Sequence, residues 1–346
     1  MRRLLHTLLI STIVFALSLQ SSGFFALQKK KRLILATATT GGTYYPVGVG
    51  IATLVTNTLE DLEGITMSAI TSAGSGENIQ LLRNKEAELA IIQSLWGSMA
   101  WQGKGRYKDR PVRFIRSVTR LWENVEHFAL LKKYAPTGNI LDLKNIKKKS
   151  FSIGARGSGT EMSGRVILEA LGFDSKKDFR LQYLGYNPSA EALQNGRVVG
   201  MNIPAGPPAS AITQAFAAIG ADDMCLLEFT EEQCTAINGR FPVWNSFVIE
   251  EGTYPGQKKP IRTISQSNVL VVHRDVEAEV VYAILKTVYE NLDYLKTIHQ
   301  SAGEISLEKA LAGLSTPLHP GAVRFYQEKG IEIPVLLLAD WALPEP

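Results

Sequence analysis

The chain has 346 residues, of which 45% are hydrophobic and 20% are charged. This composition is typical of a globular protein large enough for two hydrophobic cores, and it excludes collagen-like, coiled-coil and disordered chains. The 37 basic and 33 acidic residues give a formal charge of +4 with no long basic run, so nucleic acid is not an expected partner. Two cysteines, Cys225 and Cys234, cannot supply a four-ligand zinc site.

The N-terminus has the pattern of a secretory signal peptide. Arg2 and Arg3 precede an apolar run over residues 4–19, and small polar residues follow at 20–23. The run is slightly shorter than the about 20 apolar residues that a membrane span needs, and a retained anchor helix is the alternative. We predict that residues 1–27 are a signal peptide and that the protein is exported. Export permits a disulfide between Cys225 and Cys234, with two free thiols as the alternative.

Strand and helix patterns alternate after residue 33. We predict a strand over 33–38, a helix through the apolar positions 47, 51, 54, 55 and 59, a strand over 65–71, a short helix over 77–84 and a strand over 89–93. Because neighbouring parallel strands need a crossover helix between them, this order indicates a parallel sheet.

The same order starts again after a Lys-rich connection at 144–149. The predicted elements are a strand over 150–154, a helix over 160–171, a strand over 179–184, a helix over 188–195, a strand over 198–203 and a helix over 208–219. A strand over 268–273 and a long helix over 276–296 follow. We place these two on the first unit, so that the chain crosses between the units twice.

Three glycine-rich turns follow predicted strands, at residues 40–46, 74–78 and 157–161. Small molecules bind at such positions in open α/β sheets, where helix N-termini attract anions. Each turn also has a local explanation; Ser158 and Glu161, for example, form a capping box. Three such turns together favour a site for a small carboxylate between the two units. None of them has the pattern of a P-loop or a GxGxxG motif, so a nucleotide is not expected.

Residues 36–48, with the sequence ATATTGGTYYPVG, resemble the opening signature of the TAXI family. Its members are the extracytoplasmic solute receptors of TRAP (tripartite ATP-independent periplasmic) transporters. Further matches follow in the same order up to about residue 330: Gly76-Glu77-Asn78, Ala90-Ile91-Ile92-Gln93-Ser94, Gly157-Ser158-Gly159-Thr160-Glu161, Gly206-Pro207, Gly252-Thr253-Tyr254-Pro255-Gly256-Gln257, Glu290-Asn291-Leu292-Asp293 and Pro317-Leu318-His319-Pro320-Gly321-Ala322.

The resemblance implies an α/β, two-lobed periplasmic-binding-protein fold of type II, with two interlobe crossings and a mainly parallel, helix-flanked sheet in each lobe. We expect lobe 1 to comprise residues 28–125 and 265–346, and lobe 2 to comprise residues 126–264. The implied function is that of a periplasmic receptor. It would capture a small organic acid, such as glutamate, glutamine or a dicarboxylate, and deliver it to the membrane subunits of a TRAP permease. We expect a monomer without a cofactor.

The resemblance also implies the residues of the site. Lobe 1 would contribute Gly42, Thr43, Tyr44, Asn78 and Gln93, and lobe 2 would contribute donors from Gly157, Ser158, Gly159 and Thr160, while Gly206 and Pro207 shape the cleft wall. Two departures from the family pattern are further candidates, namely Arg156, which could clamp a second carboxylate, and Asn202, which could change the hydrogen bonds offered to the ligand. The alternative for Arg156 is a solvated loop side chain.

Two other functions fit the same pattern. One is a ligand-sensing module that feeds a signalling receptor, and the other is an enzyme on the same scaffold. The five histidines, His6, His127, His273, His299 and His319, lie outside any HExxH or GxSxG frame. We therefore expect neither catalytic residues nor a metal site, and we expect His319 to pin the last helix.

Overall fold

The computed structural model describes residues 30–338. The predicted signal peptide, residues 1–27, lies outside the described residues. No helix between residues 30 and 338 has both the length and the apolar character that a membrane crossing requires.

The first part of the chain contains the predicted βαβαβ unit. Its elements are β1 (Lys31–Ala36), α1 (Tyr44–Glu63), β2 (Ile65–Ile70), α2 (Ser75–Asn84), β3 (Leu89–Gln93), α3 (Ser94–Gln102) and β4 (Ile115–Val125). The predicted apolar positions of α1, from Val47 to Leu59, are buried, which confirms the helical periodicity. The sequence did not indicate α3 and β4. Most of α3 is buried all round, and β4 buries polar side chains such as Arg120 and Asn124, so neither shows a clear apolar period.

The second predicted unit follows with shorter strands. Its elements are β5 (Phe128–Leu131), β6 (Ser150–Ser152), α4 (Gly159–Ala170), α5 (Ser175–Asp178), β7 (Arg180–Gln182), α6 (Tyr186–Gln194), β8 (Gly200–Asn202), α7 (Ser210–Ile219), β9 (Met224–Leu226) and α8 (Glu231–Asn238). The order of strands and helices predicted between residues 150 and 219 is confirmed, and β5 and β9 add to it.

The last part contains β10 (Asn245–Ile249), β11 (Ile261–His273), α9 (Ala278–Glu290), α10 (Leu292–Ile298) and α11 (Pro320–Glu328). The single helix predicted over 276–296 was wrong, because the chain breaks at Asn291. The Asn291 side chain donates to the carbonyl oxygen of Thr287 at 2.8 Å, and this local bond competes with helix continuation. His319 caps α11 by accepting from the N–H of Gly321, which confirms that it pins the last helix.

Two mixed sheets form the two lobes. The first sheet has the order β2-β1-β3-β11-β4, with β10 beside the first half of β11, and the second has the order β7-β6-β8-β5-β9. The strands of the predicted units pair in parallel, whereas β11, β4, β5, β9 and β10 pair antiparallel. The two-lobed α/β class is confirmed, but the sheets are mixed rather than mainly parallel, because the crossing strands enter them antiparallel.

The chain crosses between the lobes twice. Strand β4 leads through Glu126 and His127 into β5, and β11 changes partner from β10, up to Ser265, to β3, from Asn268. The N–H of Glu126 donates to the carbonyl oxygen of Ile264 at 2.9 Å, so the two crossings lie side by side. The predicted lobe limits at 125/126 and 264/265 fall within these crossings and stay predictions.

Cys225 and Cys234 are both free thiols. Of the two alternatives left open by the sequence, the structure has the unpaired one. Both side chains lie among apolar residues of the core, where a thiol behaves as a small hydrophobic group.

Candidate functional site

A cavity lies between the lobes, where the carboxyl ends of strands from both sheets meet. Ligands of open α/β sheets bind at these ends. From the first lobe it is lined by Ala38, Thr39, Gly42, Thr43, Tyr44, Ala73, Gly74, Ser75, Gln93 and Asn124. From the second lobe it is lined by Gly159, Thr160, Tyr186 and Pro204. The three glycine-rich turns predicted to form a site therefore all reach this one cavity.

The lobes are closed over the cavity. The Thr43 hydroxyl donates to the carbonyl oxygen of Gly206 at 2.9 Å, and the Ser301 hydroxyl donates to that of Pro207 at 2.7 Å. Only about 30 Å³ of the cavity is open to the centre of a water molecule. A void of this size holds about two waters, so a bound molecule must be small or must part the lobes slightly.

Glycines allow this close approach of the lobes. A Cβ atom on Gly42 would lie 2.7 Å from the ring of Tyr186 in the second lobe. At Gly41, where φ is 90°, a Cβ atom would lie 2.0 Å from Oδ1 of Asn187. Gly41 and Gly42 thus fit against the start of α6 only because they lack side chains.

Three helices start at the cavity. Their first turns contain Tyr44 in α1, Ser75 in α2, and Gly159 with Thr160 in α4. The N–H groups of Gly159 and Thr160 have no acceptor among residues 30–338. Unpaired N–H groups and the positive end of the helix dipole both attract an anion.

Two buried amide side chains at the cavity lack partners. Asn124 is 0% exposed, and neither its Oδ1 nor its Nδ2 has a hydrogen bond to any of the residues that the structure describes. Gln93 is 3% exposed, and its Oε1 likewise has none. Leaving a buried polar group unpaired costs about 1–3 kcal/mol, so native proteins rarely do so without a reason. The two amides therefore offer donors and acceptors to a molecule in the cavity.

Two tyrosines close the cavity as neutral hydrogen-bond donors. The Tyr44 hydroxyl donates to Oδ1 of Asn268 at 2.5 Å, and the Tyr186 hydroxyl donates to the carbonyl oxygen of Pro204 at 2.5 Å. Burial raises the pKa of both phenols well above the usual value. Both hydroxyls therefore keep their protons at neutral pH.

Asn78, a predicted site residue, lies beneath the cavity wall and not on it. Its Nδ2 donates to the carbonyl oxygens of Thr37 at 2.7 Å and Ile91 at 2.8 Å, and its Oδ1 accepts from the Ser72 hydroxyl at 2.6 Å. All of its polar atoms have partners. Asn78 thus ties together the ends of β1 and β3, which carry residues of the cavity wall.

The polar groups at the start of the third turn cap helix α4. The Ser158 hydroxyl accepts from the N–H of Glu161 at 3.0 Å, and the Glu161 carboxylate accepts from the N–H of Gly157 at 2.7 Å. Arg156 is exposed and stacks on the ring of Tyr183 at 3.8 Å. Arg156, Gly157 and Ser158 therefore do not line the cavity in this conformation, and their roles in binding stay predictions.

The last three predicted residues also lie outside the cavity lining. Asn202 is buried in the second lobe, where its Nδ2 donates to Oε2 of Glu126 at 3.0 Å. Gly206 and Pro207 bind the first lobe through their carbonyl oxygens. The structure thus brings together Gly42, Thr43, Tyr44, Gln93, Gly159 and Thr160, and it places the other predicted residues around them.

Sequence reasoning missed Asn124, Tyr186 and Pro204. Tyr186 follows the predicted strand over 179–184, so its position alone could have marked it, as for the three turns. Asn124 gave no signal, because β4 was not recognised as a strand. Among residues 30–338, no group of three or more His, Cys, Asp or Glu side chains is placed to hold a metal ion.

Comparison with known proteins agrees with this geometry. Residues 35–330 match the model of the NMT1-like family. MatC from Rhodopseudomonas palustris, solved with bound malate, superposes with a TM-score of 0.53 at 16% identity, over 80% of this chain and 90% of that chain. A protein from Bordetella bronchiseptica RB50 gives a TM-score of 0.53 at 15% identity, over 89% and 91%.

A third solved structure, PhnD1 from Prochlorococcus marinus (MIT 9301) in complex with methylphosphonate, gives a TM-score of 0.51 at 13% identity, over 80% of this chain and 91% of that chain. Identities this low show the fold alone. The predicted periplasmic-binding-protein fold is confirmed. Because the family model spans most of the sequence, this chain belongs to the NMT1-like family.

Proposed function

We propose that this protein is a periplasmic solute-binding receptor that captures a small carboxylate in the interlobe cavity. The observation that carries the proposal is the meeting of three helix starts and two unpartnered amides, Gln93 and Asn124, in one closed cavity. A site that only needed to hold the lobes together would have paired these groups with protein atoms.

The energetics favour an anion held by hydrogen bonds. A micromolar ligand needs about 8 kcal/mol, and each exposed helix end supplies only about 0.3–1 kcal/mol. Hydrogen bonds to a charged group contribute about 1.5–3 kcal/mol each. N–H donors at Gly159 and Thr160, together with Nδ2 of Asn124, can therefore supply most of the affinity for one carboxylate.

The amide oxygens narrow the class of ligand. Oε1 of Gln93 and Oδ1 of Asn124 are acceptors, and no Lys, Arg or His side chain is part of the lining to satisfy them. The ligand must bring its own donors beside its carboxylate. An amino acid such as glutamate or glutamine does so through its ammonium group, whereas a dicarboxylate needs an added hydroxyl, as in malate.

Delivery to a TRAP permease is the finer part of the proposal. It is supported by the resemblance of residues 36–48 to the TAXI signature and by the signal-peptide pattern of residues 1–27. In this role the protein acts as a monomer, binds its acid by closing, and opens at the permease. A ligand drives the closure only by its higher affinity for the closed form.

The test is a binding screen with the purified mature chain. Thermal unfolding and calorimetry would be run with L-glutamate, L-glutamine, L-malate and succinate. At 100 times its Kd, a ligand adds about 2.7 kcal/mol to the unfolding free energy and raises Tm by several degrees. We expect succinate, which lacks a donor, to bind more weakly than L-malate. Unchanged Tm values with all four acids would reject the proposed ligand class.

A further inference from the structure

Glu126 is a buried carboxylate at the crossing from β4 to β5. It is 1% exposed, and its backbone is fixed on both sides of the crossing. Its N–H donates to the carbonyl oxygen of Ile264 at 2.9 Å, and its carbonyl oxygen accepts from the Thr263 hydroxyl at 2.7 Å. The side chain is therefore held in place where the two crossings meet.

One oxygen of the Glu126 carboxylate lacks a hydrogen bond among residues 30–338. Oε2 of Glu126 accepts from Nδ2 of Asn202 at 3.0 Å, whereas Oε1 of Glu126 and Oδ1 of Asn202 have no partner. Both unpaired atoms are acceptors, and they belong to the two planar groups that this bond already joins. A proton on Oε1 would donate to Oδ1 of Asn202 and complete both groups, as in an acid–amide pair.

Within the described part of the chain, no cationic side chain pairs with Glu126. None of the ion pairs between residues 30 and 338 involves it. Two further polar groups near it are the Ser163 hydroxyl on α4 and the Trp244 indole before β10, neither of which makes a hydrogen bond of normal geometry to it. Burial raises the pKa of Glu126 to about 7, and Asn202, Ser163 and Trp244 offset part of the shift.

The adjacent His127 is neutral and is engaged elsewhere. Burial lowers its pKa to about 4. Its Nδ1 lies 2.8 Å from the carbonyl oxygen of Val125 and 3.0 Å from that of Ile203, and its Nε2 lies 2.7 Å from the Tyr254 hydroxyl. Nδ1 therefore carries the proton and Nε2 accepts from Tyr254, so His127 provides no positive charge for Glu126.

Glu126 lies near residues that line the ligand cavity. It follows the cavity residue Asn124 by two positions, immediately after the end of β4. Its neighbour Ser163 is one helical turn after Thr160, another cavity residue, and donates to the Thr160 carbonyl oxygen at 3.3 Å. Burial raises the pKa of Tyr186, a third cavity residue, and a charge on the nearby Glu126 adds to the rise. A charge on Glu126 therefore changes the electrostatic potential inside the cavity.

We propose that Glu126 takes up a proton when a carboxylate is captured in the cavity. The inference rests on the proposed function and assigns a regulation to the same site. A bound anion and an ionised Glu126 repel each other across a low-dielectric layer, so binding favours the acid form. The proton comes from solvent and ends on Oε1 of Glu126, hydrogen-bonded to Oδ1 of Asn202. Capture becomes tighter as the medium becomes more acidic.

The neutral acid can be tested without any ligand. Infrared difference spectra of the mature protein between about pH 5.5 and pH 9 should contain the C=O band of a buried protonated carboxyl that titrates near neutrality. We expect Glu126→Gln to abolish the band. Glu304→Gln, which removes another carboxyl whose pKa is raised by burial, should retain it. A band that survives in Glu126→Gln would overturn the assignment.

The coupling is tested by calorimetry with L-glutamate at about pH 8 in two buffers of different ionisation enthalpy. Wild type should take up close to one proton on binding, and its Kd should rise towards tenfold for each pH unit above neutrality. Kd of Glu126→Gln should change less than about threefold over the same range. Binding by wild type without proton uptake would overturn the proposal, whether or not the variant folds.

The two proposals fail in different ways. Absence of L-glutamate binding even at about pH 6 would count against the proposed function and, with it, against the coupling. The infrared band would still decide whether Glu126 is neutral. Binding with a flat pH profile would leave the receptor function standing and reject only the coupling.

Discussion

Asn78 and Asn124 show how differently two fully buried asparagines are used. Both are 0% exposed and both lie near the carboxyl ends of the first sheet. Asn78 bonds to backbone carbonyls of two strand ends, whereas neither amide atom of Asn124 has a partner among residues 30–338. Burial alone thus does not identify a binding residue. The hydrogen-bond partners of each buried atom do.

The pair of variants Asn78→Leu and Asn124→Leu separates these roles. Asn78→Leu removes the hydrogen bonds of Nδ2 to the carbonyl oxygens of Thr37 and Ile91 and leaves only the Ser72 hydroxyl as a side-chain donor to Thr37, so we expect the free energy of unfolding to fall by about 2–4 kcal/mol. Asn124→Leu breaks no bond within the protein and should change it by less than about 1 kcal/mol, while Kd for L-glutamate rises about 10- to 100-fold. Urea unfolding and calorimetry measure both effects. Equal destabilisation by the two variants would contradict this assignment.

Glu126 also predicts a pH dependence of stability. Its pKa is about 7 in the folded protein against 4.5 for an ordinary Glu, so above about pH 4.5 the folded state holds a proton that the unfolded state has lost. The contribution of Glu126 to the free energy of unfolding is complete below pH 4.5 and is lost as the pH rises through 7. The loss is about 3 kcal/mol. Burial lowers the pKa of His127 and His319 to about 4. Their contribution to the free energy of unfolding therefore increases as the pH rises, opposite to that of Glu126.

The measurable quantity is therefore the difference between Glu126→Gln and wild type, because the histidine contributions cancel in it. We expect the free energy of unfolding of the variant to rise by about 3 kcal/mol relative to that of wild type between about pH 4.5 and pH 8.5. Urea unfolding at four pH values checks this. A constant difference across the range would show that Glu126 is ionised in the folded protein.

At the scale of elements, the site is made by the connections from strand to helix. The first turn of α1, the first turn of α2 and the first turn of α4 all reach the cavity, and each follows a strand of a parallel pair. Glycine is needed where a turn of one lobe meets the other lobe. Gly42 is the clearest case, since its nearest neighbours are ring atoms of Tyr186.

Gly42→Ala should therefore hinder closure without unfolding either lobe. The added methyl group would lie 2.7 Å from the Tyr186 ring in the closed form, and separation of the lobes would relieve this clash. We expect Tm without ligand to change by less than about 2 °C and Kd for L-glutamate to rise at least about tenfold, by the cost of overpacking. The matched control is Gly303→Ala, whose Cβ would meet only ordinary contacts at 3.6 Å from Lys296. Equal affinities of the two variants would contradict the role of Gly42 in closure.

At the scale of the whole molecule, the hydrogen bonds that join the lobes beside the cavity lead us to expect that the lobes separate when a ligand enters. The two crossings between the lobes lie side by side at Glu126 and Ile264, where the N–H of Glu126 donates to the carbonyl oxygen of Ile264. Such adjacent links permit a hinge motion that leaves each lobe intact. The bonds of Thr43 to Gly206 and of Ser301 to Pro207 would break on opening.

A disulfide across the cavity mouth reports this motion. A Cβ atom on Gly185 would lie 3.6 Å from Cβ of Thr39, within the range for a disulfide, and φ of Gly185 is −68°, which any residue can adopt. We expect the double variant Thr39→Cys with Gly185→Cys to cross-link faster when L-glutamate holds the lobes closed. Peptide mass mapping distinguishes this bond from any that involves Cys225 or Cys234, and either single variant is the control. An unchanged rate with bound L-glutamate would contradict ligand-driven closure.

The sequence by itself determined most of the order of strands and helices from β1 to β3 and from β6 to α7, together with the turns that surround the cavity. These features depend on local properties, namely apolar periodicity, the need of parallel strands for crossover helices and the conformational freedom of glycine. The parts it did not determine are those where local patterns are weak, such as the polar strand β4 and the break at Asn291.

Only the tertiary structure decided which polar side chains are free to bind. Asn78 and Asn124 are the same residue type, and they differ in their hydrogen-bond partners. Carbonyl oxygens of Thr37 and Ile91 accept from Asn78, whereas no such acceptor within residues 30–338 pairs with Asn124. The contact between Glu126 and Asn202 joins residues 76 positions apart. Hydrogen-bond partners and burial are set by the packing of distant segments, so no local pattern of residues could have indicated them.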